Sequence, residues 1–167
     1  MPIVDSFLQE LEQEAATTRR VLERVPTDKL DWQPHPKSMS LGQLATHVAK
    51  TPGQIAKLAA GDSWDLSAGG TGPGTSASTA EILAAFEEDI ALAKTTLGKW
   101  DDATATTNWS ITKDGKTLMT LPRIGVIRMI ALNHWYHHRG QLSVYLRLLD
   151  VPVPSIYGPS ADENPFA

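Results

Sequence analysis

The sequence predicts an all-α fold, a four-helix bundle with a small extended excursion before its last long helix. Three observations carry that reading. Apolar residues recur at helical spacing in four segments, at about 2–25, 40–60, 78–100 and 122–149. Prolines or a Gly/Ser/Thr-rich stretch separate the first three segments. A run of β-branched residues ahead of the fourth is broken by Asp114-Gly115, a hairpin turn signal.

In the first segment Val4, Phe7, Leu8, Leu11, Ala15, Thr18, Leu22 and Val25 repeat at helical spacing. Pro2 suits a first helical turn, and Pro26 stops the helix. Residues 27–39 hold Pro34 and Pro36 and read as an irregular connection, packed down by Leu30 and Trp32, with His35 in an exposed loop. Ser40 with Gln43 forms a capping box that opens the second helix. Pro52-Gly53 falls inside its pattern and is expected to kink or break it one turn after His47. Residues 61–77 are glycine-rich and read as a mobile loop. They make no phosphate cradle, because neither G-x-x-x-x-G-K nor a preceding strand is present. Ser78 with Glu81 opens the third helix, which runs to Trp100, with Glu87-Glu88-Asp89 as a solvated face. Residues 104–120 read as a two-stranded excursion. Thr120-Leu121-Pro122 then starts the fourth helix, and the Pro-rich tail after Leu149 is extended along the bundle.

The 167 residues suit one domain, 1–167, with a formal charge of -4 and no cysteine. Lys and Arg form no run, which argues against nucleic acid or an anionic membrane as partner. The N-terminus lacks a basic and an apolar region, and no apolar run approaches the roughly 20 residues of a membrane span. A cytoplasmic protein is the expectation.

Asn133 to Gln141 carries three of the five histidines. Each helical residue turns about 100°, so His134 and His138 lie on one face, one turn apart, a spacing that lets two imidazoles share a divalent metal. On that wheel Ile127, Ile130, Ala131, Leu142, Tyr145 and Leu149 cluster around His134 and His138. His137 lies nearer the stripe's edge, and Tyr136 and Arg139 point largely outward. Gln141 returns to the inner face, where it supports a ligand or lines a cavity. His47 shares a face with Leu44, Thr51, Ile55 and Leu58. Beside a two-histidine face in a small bundle, it reads as a third ligand. Packed histidines without metal are the competing reading, but two buried imidazoles on one stripe are costly unless something pairs them.

Leu30-Asp31-Trp32-Gln33-Pro34 with Ser40 to His47, and His134 to Leu142 with its H-x-x-x-H-R-G-Q element, resemble the two signatures of DinB-like (DinB/YfiT-like) proteins. Val151 to Pro154 with Ser160 to Glu163 is similar to the family's tail, so the resemblance spans most of the chain. It implies a four-helix bundle, often a homodimer, with a divalent ion such as zinc or nickel on three histidines. Carried over by position, the ligands are His47, His134 and His138, and His137 matches an additional histidine that is not the usual ligand.

Three neutral imidazoles leave a coordination position open, the pattern of a catalytic zinc site. The metal then activates water for hydrolysis, or a thiol. Relatives of the second kind resemble transferases for low-molecular-weight thiols such as bacillithiol or mycothiol. No Asp or Glu falls on the histidine-bearing faces, which favours thiolate chemistry. The expected function is a metal-dependent enzyme of thiol S-transferase or hydrolase type acting on a small molecule. The alternative is a non-catalytic, stress-associated bundle that binds a metal or ligand and acts through its dimer surface.

Overall fold

A three-stranded mixed sheet sets the fold apart from the all-α bundle expected of the sequence. The computed structural model describes residues 2–69 and 74–167, so the centre of the glycine-rich stretch, 70–73, lies outside the described residues together with the expectation of a mobile loop there. In chain order the elements are α1 (Ile3–Leu22), α2 (Leu41–Ala60), β1 (Ser63–Asp65), α3 (Thr79–Leu97), α4 (Asp102–Thr106), β2 (Asn108–Lys113) and β3 (Lys116–Pro122). The last helical run consists of α5 (Arg123–Val126), a π-helical segment (Ile127–Asn133) and α6 (His134–Leu148).

The local chemistry explains most boundaries. At α2 both halves of the capping box form: the Ser40 hydroxyl accepts from the Gln43 N–H, and the Gln43 side chain accepts from the Ser40 N–H. At α3 only half of it forms. Ser78 accepts from the Glu81 N–H, while the Glu81 carboxylate takes the N–H of Ala77. The hairpin turns at Asp114 and Gly115, whose φ values of 50° and 74° are those of a two-residue primed turn. The strand missed in the sequence is β1, which pairs in parallel with β2, Trp64 opposite Ile111. Three residues are too few to show alternation, and a parallel partner reached through a long crossover leaves no local signal. The sheet is tied to the end of α2. The buried Trp109 donates to Leu58 O at 3.2 Å, and Arg123 donates to Ala59 O and Gly61 O, satisfying carbonyls that a helix end leaves free.

The core lies between α1, α2, α3 and the last helical run, with Leu22, Leu44, Ala49, Phe86, Trp135 and Leu142 among its buried members. Of the expected kink or break at Pro52, the break does not occur: α2 runs through it from Leu41 to Ala60. A proline has no N–H and crowds the preceding turn, so Val48 O loses its intrahelical donor. Trp135 of α6 supplies one, its indole N–H donating to Val48 O at 2.8 Å. On the other side of the proline, the N–H groups of Gly53 and Gln54 donate to the Asp89 carboxylate of α3, at 2.6 and 3.1 Å. A Cβ at position 53 would sit 2.2 Å from Asp89 O, so glycine is what lets α3 approach. Asp89 therefore does not belong to a solvated face; it is buried, while Glu87 and Glu88 are exposed.

The outward placement expected of Arg139 and Tyr136 is also corrected. Arg139 is 1% exposed and donates to Glu14 O and Thr18 Oγ1, with its charge met by the Glu14 carboxylate at 2.6 Å. Tyr136 is half-buried, and its hydroxyl donates to Glu10 Oε1 at 2.9 Å. The deepest face of α6 runs through Trp135, Arg139, Leu142 and Leu146, leaving His134 and His138 on its flank. The π segment accounts for the part of the difference that rests on Ile127, Ile130 and Ala131. Its turns hold more residues than an α-turn, so one 3.6-residue wheel loses phase between Ile127 and His134. The tail runs along α1 and α6 as expected, held by Arg20 on Glu163, Arg147 on Asp162, and Tyr157 donating to Glu14 at 3.0 Å.

Burial pushes the Asp89 carboxyl up to about 6, against the pull of its two backbone bonds and of Lys50. With its folded pKa above the ordinary value of about 4, the contribution to stability is fully present below that value and is lost as pH rises through the folded pKa. Urea denaturation should therefore show wild type losing stability relative to Asp89→Asn between about pH 4 and 6. A difference that stays constant across that window would contradict the assignment.

Candidate metal centre

His47 comes from the second turn of α2 and His134 and His138 from the first turns of α6. The i, i+4 spacing stacks His134 above His138, with ring centroids 4.4 Å apart. His47 faces both, at 5.1 Å from His134 and 4.5 Å from His138. One nitrogen from each ring can be chosen so that all three lie within 4.8 Å of one another. Nε2 of His47 and Nε2 of His134 are 2.9 Å apart. That separation suits a hydrogen bond between neutral rings. It is also close to the roughly 3.0 Å between two nitrogens about 2.1 Å from one metal at a right angle, and shorter than the roughly 3.4 Å of a tetrahedral site.

The donor set is chemically suited to a divalent ion. Burial pushes His47 down to about 4, with the neighbouring His138 and His134 adding to the shift. Burial also lowers His134 and His138 from their ordinary value. All three are therefore neutral near pH 7, the form that binds metal. Gln141, one turn beyond His138, places Oε1 2.7 Å from His138 Nδ1. Accepting the Nδ1 proton fixes the tautomer whose free lone pair is on Nε2. The sequence placed Gln141 on the inner face; its residue is exposed, but its side chain does reach the histidine. The three histidines are only partly buried, so the cluster is open to a further ligand.

His137 is exposed and stacks edge-on against His138 at 5.0 Å, outside the three-histidine group. His35 is an exposed loop residue whose Nδ1 accepts from the Lys37 N–H, as its place between prolines suggested. Among the described residues no Asp or Glu joins the three histidines. Sequence reasoning missed Trp135 and Val48, the neighbours of His134 and His47 that bond α6 to α2. The signal was the proline four positions after Val48, which marks a carbonyl that needs an outside donor. Among the described residues no helix is long and apolar enough to cross a membrane.

The chain is similar in sequence or in fold to several known proteins. The uncharacterized protein YrdA of Bacillus subtilis (strain 168) is 26% identical over 163 residues, which cover 96% of this chain and 91% of YrdA. A solved DinB-like protein from Bacillus cereus ATCC 10987 superposes with a TM-score of 0.72 at 21% identity, covering 92% of this chain and 97% of that one. A second, the DinB-like protein YjoA of Bacillus subtilis, gives 0.66 at 15% identity, covering 88% and 95%. At those identities the two structures speak to the fold alone. The family model named DinB matches residues 1–165, and the chain belongs to the DinB family.

Proposed function

We propose that the protein is a metal-dependent enzyme of thiol S-transferase or hydrolase type, with His47, His134 and His138 as ligands. The observation that carries this reading is the convergence of three neutral imidazoles, from two helices, on one position open to solvent. Zinc or nickel suits imidazole ligands. A divalent ion bound there would lower the pKa of a neighbouring water or thiol.

The protein's own contribution is electrostatic and steric. Neutral ligands without a carboxylate leave the ion's charge undiminished, which favours the ionised form of an incoming thiol. Gln141 holds the His138 ring in one tautomer. In the transfer branch the thiolate forms a C–S bond to an electrophilic carbon, the leaving group departs with its electron pair, and the thiol proton passes to solvent. A low-molecular-weight thiol is the second cofactor of this reading, and a small electrophile its substrate.

One observation favours a non-catalytic alternative, a metal- or ligand-binding protein acting through a homodimer surface. Among the described residues no carboxylate stands beside the histidines to act as base, while Met129, Val144 and Leu148 are each more than half exposed on the last helical run. A metal site closed to azide would favour that reading.

Elemental analysis of untagged protein should find about one divalent ion per chain, lost in His138→Ala. Gln141→Ala should keep the fold and weaken metal affinity about 10- to 100-fold. Wild type that takes up no metal on reconstitution would return the three histidines to packing. Apoprotein supplied with both metal and a low-molecular-weight thiol should turn over an electrophilic aryl halide faster than with either alone. No acceleration with any thiol tested would exclude the transferase branch.

A further inference from the structure

The ligand-bearing helices are joined at one buried hydrogen bond whose position mirrors the site. His47 and His134 are 87 residues apart, and so are Val48 and Trp135, the next residue along each helix. The indole of Trp135 is wholly buried and donates to Val48 O at 2.8 Å. The helical donor that would otherwise reach that carbonyl is missing, because Pro52, four residues on, has no N–H. In a regular helix an N–H at position 52 would take one of the carbonyl's two lone pairs and compete with the indole for it. The bond therefore fixes the spacing and register of α2 against α6 one residue from two of the three imidazoles.

We infer that Trp135 is a positioning residue of the metal centre, and that Pro52 exists to present it with an acceptor. The inference rests on the proposed three-histidine metal site. It goes beyond that proposal in assigning to a core tryptophan and a helix proline the setting of the distance between His47 and His134. A ligand set is held to within a fraction of an ångström by such supporting groups, and their loss lowers metal affinity without removing a ligand.

Trp135→Phe deletes the donor while keeping an aromatic ring in the core. It also strands Val48 O, so it lowers stability, and a drop in metal affinity alone would not separate positioning from general loosening. The double variant Trp135→Phe/Pro52→Ala separates them. Replacing the proline restores an N–H to Val48 O within α2, which satisfies the carbonyl but does not rejoin α2 to α6.

Zinc affinity by chelator competition, the absorption bands of the cobalt-substituted protein, and urea midpoints should be measured on wild type and both variants. Trp135→Phe should bind zinc about 10- to 100-fold more weakly, with shifted cobalt bands. In the double variant the urea midpoint should recover while zinc affinity and the cobalt spectrum stay altered. Recovery of affinity together with stability would overturn the inference, as would unchanged affinity and spectrum in Trp135→Phe. Wild type that binds neither zinc nor cobalt would overturn the metal reading itself, and this inference with it.

Discussion

The proline at position 52 removes one N–H from α2, and the way the fold absorbs that loss organises the packing around the histidines. The freed carbonyl of Val48 is taken by Trp135 from α6. The N–H groups just past the proline are taken by Asp89 from α3. A buried polar backbone group without a partner costs roughly 1–3 kcal/mol, so the carbonyl that the proline leaves without its donor needs a partner outside the helix. That partner comes from α6, and on the far side of the proline α3 adds the Asp89 contacts. The defect becomes a three-way junction, about one turn from His47, between the helices that carry the site and the helix that backs them.

A second constraint is electrostatic. Three imidazoles crowded together cannot all be protonated, and partial burial already disfavours the charged form of each. The cluster is thus held neutral, with lone pairs converging and, among the described residues, no carboxylate to offset a cation's charge. Elsewhere the fold treats buried charge differently. Arg139 is enclosed by Glu14, Thr18 and Tyr157, and its guanidinium lies 5.0 Å from the Tyr157 ring. Removing one partner of such a buried pair leaves an uncompensated charge. Arg139 therefore anchors α1, α6 and the tail as a unit, on the side of α6 that turns away from the histidines.

Much of this was legible in the residues. The i, i+4 histidines of α6, the Ser40–Gln43 capping box and the Asp114-Gly115 turn are local patterns with local causes, and each appears where its chemistry placed it. His47 was legible only because a two-histidine face elsewhere gave it something to meet. Other features were illegible for physical reasons. Strand β1 is three residues long and pairs in parallel with a partner far along the chain, which converts the expected two-stranded excursion of an all-α bundle into a mixed sheet. Asp89 and Arg139 look like surface charges by residue type, and only tertiary partners make their burial tolerable. The π segment shifted the helix phase, which no fixed 3.6-residue wheel can register.

The central claim is that one divalent ion is shared by His47, His134 and His138. X-ray absorption at the metal edge of the zinc-reconstituted protein tests it most directly. The account predicts imidazole scattering from about three nitrogens at roughly 2.0–2.1 Å, together with an exchangeable light-atom ligand. A spectrum dominated by oxygen ligands, with no imidazole scattering, would contradict it.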